Sequence, residues 1–258
     1  DLHLATTVMP ATDGGLPKIY MLNSRCMGKP RKKWVQMELR PRTWGGKREG
    51  AGRPKKGGAG VAHVRRQAIG RRDVAHVTVR LLPVVKSLRN GRCFRVVRGC
   101  FAAGCERFGF RLVQFSVQGQ HLHLVCEADD RVALARGMQG LSIRLARRLN
   151  RQLGRSGKVL RDRYHSRVLK TPTEVRNVLA YVLCNFRRHA AERGVRVERG
   201  WIDPYSSGPH FGGWRDLVRP PEAYARGPCC TAPARSWLLD KGWLRRGRIS
   251  VATVPAQA

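Results

Sequence analysis

Acidic residues are scarce in this chain: 17 Asp and Glu stand against 51 Lys and Arg in 258 residues, a formal charge of +34. So one-sided a charge repels itself in a compact state. It excludes a cationic partner and points to a polyanion, nucleic acid before any other. Long apolar runs are missing as well. No stretch reaches the roughly 18–20 residues that a membrane span needs, and no charged-then-apolar leader opens the chain. A membrane protein is excluded on this reading, and the pattern argues against secretion. The first residue is Asp, and Met9, Met21 and Met27 are each eligible as a start. None of the eight cysteines forms a CxxC pair, and no CxxC…HxxxH layout exists, so a structural zinc module has weak support. Cys100, Cys105, Cys126 and Cys184 fall in apolar-periodic segments, where a thiol acts as a small hydrophobe, in keeping with a reducing cytoplasm.

Apolar residues nonetheless make up 42 % of the chain, enough for a core. They are unevenly spread. Between Arg25 and Arg72 there are sixteen basic and two acidic residues, with many Gly and Pro. That composition cannot bury a core, so residues 1–72 read as a basic, flexible arm. Within it, WGGKREGAGRPKK (44–56) places Arg53 in a Gly-Arg-Pro flanked by lysines. This resembles an AT-hook, a segment that slides into a narrow A·T minor groove. A solvated basic linker fits the same residues.

Patterned sequence starts near Asp73. VAHVTVR (74–80) alternates and predicts a strand. Phe94, Val97, Phe101 and Cys105 recur at helical spacing over 91–107. FRLVQFSV (110–117) and HLHLVCEA (121–128) both alternate and predict a hairpin. A second helix spans 131–153, with Asp130 as its N-cap and Leu134, Met138, Leu141, Leu145 and Leu149 on one face. A short strand or hairpin over 158–170 leads to a third helix, capped by Thr173 after Pro172 and running to about Glu192. The order β-α-β-β-α-β-α predicts an α+β fold: a ferredoxin-like βαββαβ antiparallel sheet with helices on one face, and an added C-terminal helix free to cross the other face or an edge. Residues 73–192 form this domain. Residues 193–258, rich in Arg, Trp and Pro, read as an appendage docking on the domain or on nucleic acid, with an amphipathic helix over 236–249.

The chemistry-bearing residues cluster in two places. His121 and His123 share one face of a strand, while Leu122 and Leu124 point to the other. Two imidazoles on a rigid strand make a bidentate metal site, although an arbitrary HxH is more often a half-exposed strand. On the third helix, Val175, Val178, Leu179, Val182, Leu183 and Phe186 form the apolar stripe. Glu174, Asn177, Tyr181, Asn185 and Arg188 fall on a neighbouring polar face, with Asn185 one turn beyond Tyr181. The arginines of the second helix and its end (Arg144, Arg147, Arg148, Arg151 and Arg155) form a basic stripe with no acidic partner and read as phosphate clamps. His165 reads as a surface histidine, His76 as a sheet-face residue, and Tyr164 as a weaker nucleophile than Tyr181 because it lacks an Asn one turn on.

A His-hydrophobic-His strand followed by a helix with Tyr-x-x-x-Gln/Asn resembles the single-tyrosine HUH (IS200-like) transposases, and within them the REP-associated tyrosine transposases. The similarity covers about 73–192 and extends loosely to GGKREGAGRPKK, HFGGWRD and SWLLDKGW. It implies His121, His123 and Asn185 as holders of Mg²⁺ or Mn²⁺, and Tyr181 as the nucleophile. It further implies nicking and rejoining of single-stranded, hairpin-forming DNA through a 5′-phosphotyrosine, by a nucleoid-associated bacterial protein acting as a homodimer or a monomer. Two departures are visible: Gln120 stands where many relatives have Asn, and Asn185 is a methylene shorter than Gln. Arg53 and Arg188 join the second-helix arginines as expected DNA contacts. The competing reading is a non-catalytic DNA- or RNA-binding protein on the same fold. Such RNA platforms need aromatic residues on the sheet face, where the central strands offer mainly Phe115.

Overall fold

A computed structural model describes residues 67–216 and 230–255; the AT-hook-like segment and Arg53 lie outside the described residues. Five antiparallel strands form one sheet in the order β2-β3-β4-β1-β5: β1 (Val74–Arg80), β2 (Glu106–Arg107), β3 (Phe110–Val117), β4 (His121–Ala128) and β5 (His165–Leu169). Apart from the two-residue β2, this is the order of a ferredoxin-like βαββαβ sheet. Two helices, α1 (Gly91–Ala102) and α2 (Arg131–Gln152), cover the back face. A third, α3 (Pro172–Glu192), covers the front face.

Alternation explains which side chains go where. Ala75, Val77 and Val79 of β1 and Leu122, Leu124 and Cys126 of β4 point to the back, into a core completed by Phe94, Val97 and Phe101 of α1 and the predicted leucine stripe of α2. Phe115 belongs to that back core and is 1 % exposed, so it offers no stacking surface. The intervening positions His76, Thr78 and Arg80 of β1 and His121, His123, Val125 and Glu127 of β4 face front. They lie in register, with Thr78 opposite His123 and Arg80 opposite His121. A β-bulge between Leu112 and Gln114 puts one extra residue, Val113, on β3 against β4 and sends it to the front cluster. Where α2 passes β3, a Cβ on Gly137 would collide with the Phe110 ring, so glycine permits that approach.

Several boundaries differ from the sequence reading. The first helix ends at Ala102, leaving Cys105 in the following turn. The third helix is capped by Thr171, not Thr173: its hydroxyl accepts from the Glu174 N–H while the Glu174 carboxylate accepts from the Thr171 N–H, a capping box with Pro172 in the first turn. Asp130 caps α2 as expected, accepting from the Ala133 N–H at 2.7 Å. The expected helix over 236–249 is broken at Lys241 into α4 (Trp237–Asp240) and a 3-10 turn (Gly242–Arg246).

The residues after α3 dock on the domain. Segment 205–207 adds to the edge of β3 beyond β2: the Val117 N–H donates to the Tyr205 carbonyl and the Ser207 N–H to the Phe115 carbonyl, so this edge is covered rather than open. Leu239, Trp243, Ile249 and Val251 pack with Val175, Leu179 and Leu183, clamping α3 between sheet and tail. Glu127 anchors this layer, its buried carboxylate accepting from the backbone N–H groups of Arg235 and Ser236 and from the Ser236 hydroxyl. Among the described residues no helix is long and apolar enough to cross a membrane.

Candidate active site

The front face of β1 and β4 and the exposed flank of α3 enclose a cleft of about 410 Å³. Its floor holds Thr78, His121 and His123; α3 supplies Tyr181, Arg188 and His189; Arg80 and Arg161 complete the rim. The two histidine rings lie 4.9 Å apart, and the Tyr181 ring stands 5.1 Å from His123, nearly perpendicular to it. Three guanidiniums and no carboxylate line the cleft, so a phosphodiester fits its charge. Glu192 alone approaches from α3, holding Arg188 Nε and His189 Nδ1, each at 2.9 Å.

His76, read from sequence as an ordinary sheet residue, belongs to this site. Its ring stacks on His123 at 5.4 Å, and its Nε2 lies 3.3 Å from His123 Nδ1. Thr78 Oγ1 is 3.4 Å from the same nitrogen. A proton on His123 Nδ1 satisfies these neighbours and leaves the Nε2 lone pair directed elsewhere, the usual outer arrangement behind a metal-binding imidazole. Burial, reinforced by the neighbouring imidazoles and Arg80, pushes the His123 pKa down to about 2. Burial and then His165 and Arg167 lower His76 to about 4; burial and then His189 and Arg80 lower His121 to about 4. All three are neutral at physiological pH, with lone pairs available. Burial raises the Tyr181 pKa above its ordinary value, against an opposing pull from Arg188, so the resting group is a phenol.

The donor set fits a divalent cation. His123 Nε2 and both amide atoms of Asn185 are buried with no hydrogen-bond partner, and Asn185 is 1 % exposed. Each such orphan costs about 1–3 kcal/mol unless something absent from the structure satisfies it. Asn185 lies on the α3 stripe between Tyr181 and His189, one turn from each. Among the described residues no group of three or more His, Cys, Asp or Glu converges as a metal cluster, and the buried Asn185 is not part of the cleft's lining, so the imidazoles are the donors that face the cleft.

Other predicted residues lie elsewhere. Arg144 is wedged at the α1–α2 seam, where its guanidinium fills the space beside Gly104 and its Nε is buried. Arg147, Arg148 and Arg151 are exposed on α2, and Arg155 donates to the Asn150 side chain and the Lys158 carbonyl. All belong to the back layer, across the sheet from Tyr181. Tyr164 also packs against the back core, which separates this rival nucleophile from the histidines. His165 is exposed, as expected. The contributions of Arg80 and Arg161 were hidden in the sequence. Each is an isolated arginine brought to the rim by pairing, the Arg161 N–H donating to the Arg80 carbonyl at 2.9 Å.

Among curated protein sequences none matches the chain. Two solved structures are similar at 15 % identity. One is a REP-associated tyrosine transposase bound to a REP hairpin, with a TM-score of 0.42 over 67 % of this chain and 92 % of that one. The other is a protein from Deinococcus radiodurans R1 provisionally named a transposase, with a TM-score of 0.33 over 55 % of this chain and 100 % of that one. The sequence profile for IS200-like transposases matches residues 77–183, a span that holds both floor histidines, Tyr181 and most of the sheet. Over this segment the chain is similar to the IS200-like transposases.

Proposed function

We propose that the protein nicks and rejoins single-stranded, hairpin-forming DNA, with Tyr181 as nucleophile and Mg²⁺ or Mn²⁺ held by His121, His123 and Asn185. The observation that carries this reading is the Tyr181 phenol 5.1 Å from the His123 ring, above a basic cleft whose buried polar atoms lack partners.

Arg80, Arg161 and Arg188 bind the phosphates on either side of the scissile bond and orient the strand across Tyr181. The Tyr181 oxygen attacks phosphorus in line; the tyrosyl–phosphorus bond forms and the bond to the 3′ oxygen breaks. The phenol's proton passes to solvent, and the departing oxygen takes one up to become a 3′-hydroxyl. The product is a 5′-phosphotyrosine, which a second 3′-hydroxyl can attack to reverse the sequence. A bound divalent cation supplies polarisation of the phosphate oxygens and neutralises charge that builds in the transition state. Near neutral pH the chain's own imidazoles present unprotonated nitrogens to it, and His76 with Thr78 fixes the His123 ring.

The α2 arginines and Arg53 extend the DNA contact beyond the cleft, on the back layer and the basic arm. The separations 1–72, 73–192 and 193–258 are then an arm, a catalytic domain and a tail that clamps its tyrosine helix. The test is a labelled single-stranded hairpin from the chain's own genomic flank, incubated with Mg²⁺ or Mn²⁺ and run on a denaturing gel. A covalent adduct is expected, absent in Tyr181→Phe and in His121→Ala while DNA binding persists. An adduct that survives Tyr181→Phe overturns the assignment. DNA binding without any adduct under either metal favours the non-catalytic reading.

A further inference from the structure

The C-terminal end of α3 carries a second groove that the nicking chemistry does not use. The helix stops at a Schellman turn: Gly194, at φ 68°, places the Val195 N–H on the Ala190 carbonyl and its own N–H on that of Ala191. The chain then doubles back, and a buried side chain holds it. Arg187 is 6 % exposed, and its guanidinium donates to the carbonyls of Val197, Glu198, Arg199 and Trp201. No carboxylate meets it. A buried cation spent on four carbonyls fixes one loop conformation, and that loop presents Trp201.

Trp201 is 38 % exposed and stands edge-on to Phe186 at 4.5 Å. Together with Ala190, Val197, Arg193 and Arg196 these rings line a groove of about 320 Å³. Arg193 and Arg196 are exposed. The lining also includes Arg89, whose charge is met by a two-pronged pair with Asp203 at 2.7 and 2.8 Å, and one acid, Glu198. A rigid indole with apolar neighbours and flanking guanidiniums suits a flat, uncharged ring joined to an anionic backbone. That is an unpaired nucleobase. The groove and the tyrosine cleft share α3: Ala190 lies about 13 Å along the helix from Tyr181 and half a turn around it, so a strand that reaches both passes round the C-terminal end of the helix and spans at least about four nucleotides.

We propose that this groove is a stacking site for an unpaired base of the DNA strand whose phosphate reaches Tyr181, with Trp201 as the stacking surface and Arg193 and Arg196 on the adjacent phosphates. The proposal rests on the single-stranded DNA reading above and adds a base-binding subsite outside the reacting centre.

The full chain is titrated by fluorescence anisotropy with a 15-nucleotide oligothymidine, and separately with the same strand annealed to its complement, at several salt concentrations. Trp201→Ala should weaken single-strand binding by about 5- to 150-fold, and duplex binding by less than about twofold. Trp201→Phe keeps an aromatic surface beside Phe186 and should restore most of the affinity. Arg196→Gln should lower the log–log salt slope by about 0.7, with its thermal melt unchanged. A strand carrying 2-aminopurine should be quenched by the wild type and not by Trp201→Ala. Wild-type single-strand affinity in Trp201→Ala, or equal losses on single strand and duplex, overturns the proposal. The adduct assay separates the two readings: an adduct formed with no dependence of binding on Trp201 ends this subsite alone, and Trp201-dependent binding with no adduct ends the nicking chemistry alone.

Discussion

Glu127→Gln changes one atom's identity and tests whether the tail clamps the tyrosine helix. Glu127 is 3 % exposed. Oε1 accepts from the Ser236 N–H at 2.8 Å and the Ser236 hydroxyl at 2.7 Å, and Oε2 from the Arg235 N–H at 2.9 Å. Arg111 Nε stands 3.4 Å from Oε2, close enough to pair in charge though not aligned as a hydrogen bond. Glutamine keeps the shape but offers one acceptor end only. Its amino end would face a backbone N–H, donor against donor, and Arg111 would keep only Glu106 at 3.1 Å as a charged partner. Leaving a buried polar group unmatched costs about 1–3 kcal/mol. For a domain of 150–250 residues each kcal/mol shifts Tm by about 2–4 °C, so the midpoint should drop by about 2–12 °C. Circular dichroism melts of wild type, Glu127→Gln, Ser236→Ala and the double variant check this. The two single effects should be coupled by about 0.5–3 kcal/mol, because the residues share bonds. A loss below about 1 kcal/mol, or strict additivity, would show that the tail is not held through this carboxylate. A second consequence follows from position. Ser236 caps α4, and α4 with the turn after it covers the outer side of α3. The Glu127→Gln protein should therefore lose adduct formation at temperatures below its own melt, as Tyr181 loses its fixed place.

Four further outcomes can be measured. Thr171→Ala removes half of the α3 capping box and should cost about 1 kcal/mol in a urea titration. Its partner Glu174 gives a pH signature: bonds from the Lys170 N–H, then from Thr171 and Arg167, hold its pKa below the ordinary 4.5. Its stabilising share is present above the unfolded value and lost as pH falls through the folded one, so the gap between wild type and Glu174→Gln should narrow below about pH 4.5. His76→Ala removes the neighbour that fixes the His123 ring and should weaken Mn²⁺ binding about 10- to 100-fold by calorimetry with the thermal melt little changed; unchanged metal affinity would return His76 to the sheet. Phe108 sits at φ 51° beside Gly109 at φ 77° in the β2–β3 turn, 84 % exposed. Such a turn favours Asn-Gly, so Phe108→Asn should stabilise the protein by roughly 1 kcal/mol, and a fall in Tm would refute the strain.

The order of elements was legible because each strand and helix announces itself locally. VAHVTVR and the two strands of the hairpin occupy the same residues in the structure as in the pattern, since alternation needs no knowledge of neighbours. The same logic put His121 and His123 on one strand face and Tyr181 with Asn185 on the polar face of α3, but their joint role was implied only by the resemblance to the single-tyrosine HUH transposases. What stayed hidden depends on pairing. His76 reaches the site only because Thr78 lies opposite His123, placing the neighbouring front-facing imidazole within 3.3 Å. Arg80 and Arg161 meet through one backbone bond between segments some eighty residues apart. The α2 arginines show a different limit. Their stripe is real, but nothing in a helix's own period tells which face of a sheet it will cover, and the back core was already claimed by α1 and α2.

The tail shows where composition misleads. An Arg-, Trp- and Pro-rich segment reads as an appendage docking on the domain or on nucleic acid; Trp214 and Trp243 are buried in the layer over α3, while Trp201 and Trp237 stay open beside arginines. Tryptophan pays for its exposure in lost burial, so the same residue type can be clamp or platform, and only the partner packed against it decides. At Trp214 that partner is apolar, and the indole N–H donates to the Gly208 carbonyl at 2.9 Å, which closes the site to any ligand. At Trp201 the loop is fixed from behind by Arg187 and the outer side of the ring is left unfilled. A rigid frame built around an open ring is arranged for something that arrives later, and a strand threaded toward Tyr181 is the flat, anionic chain that this protein's charge would bring there.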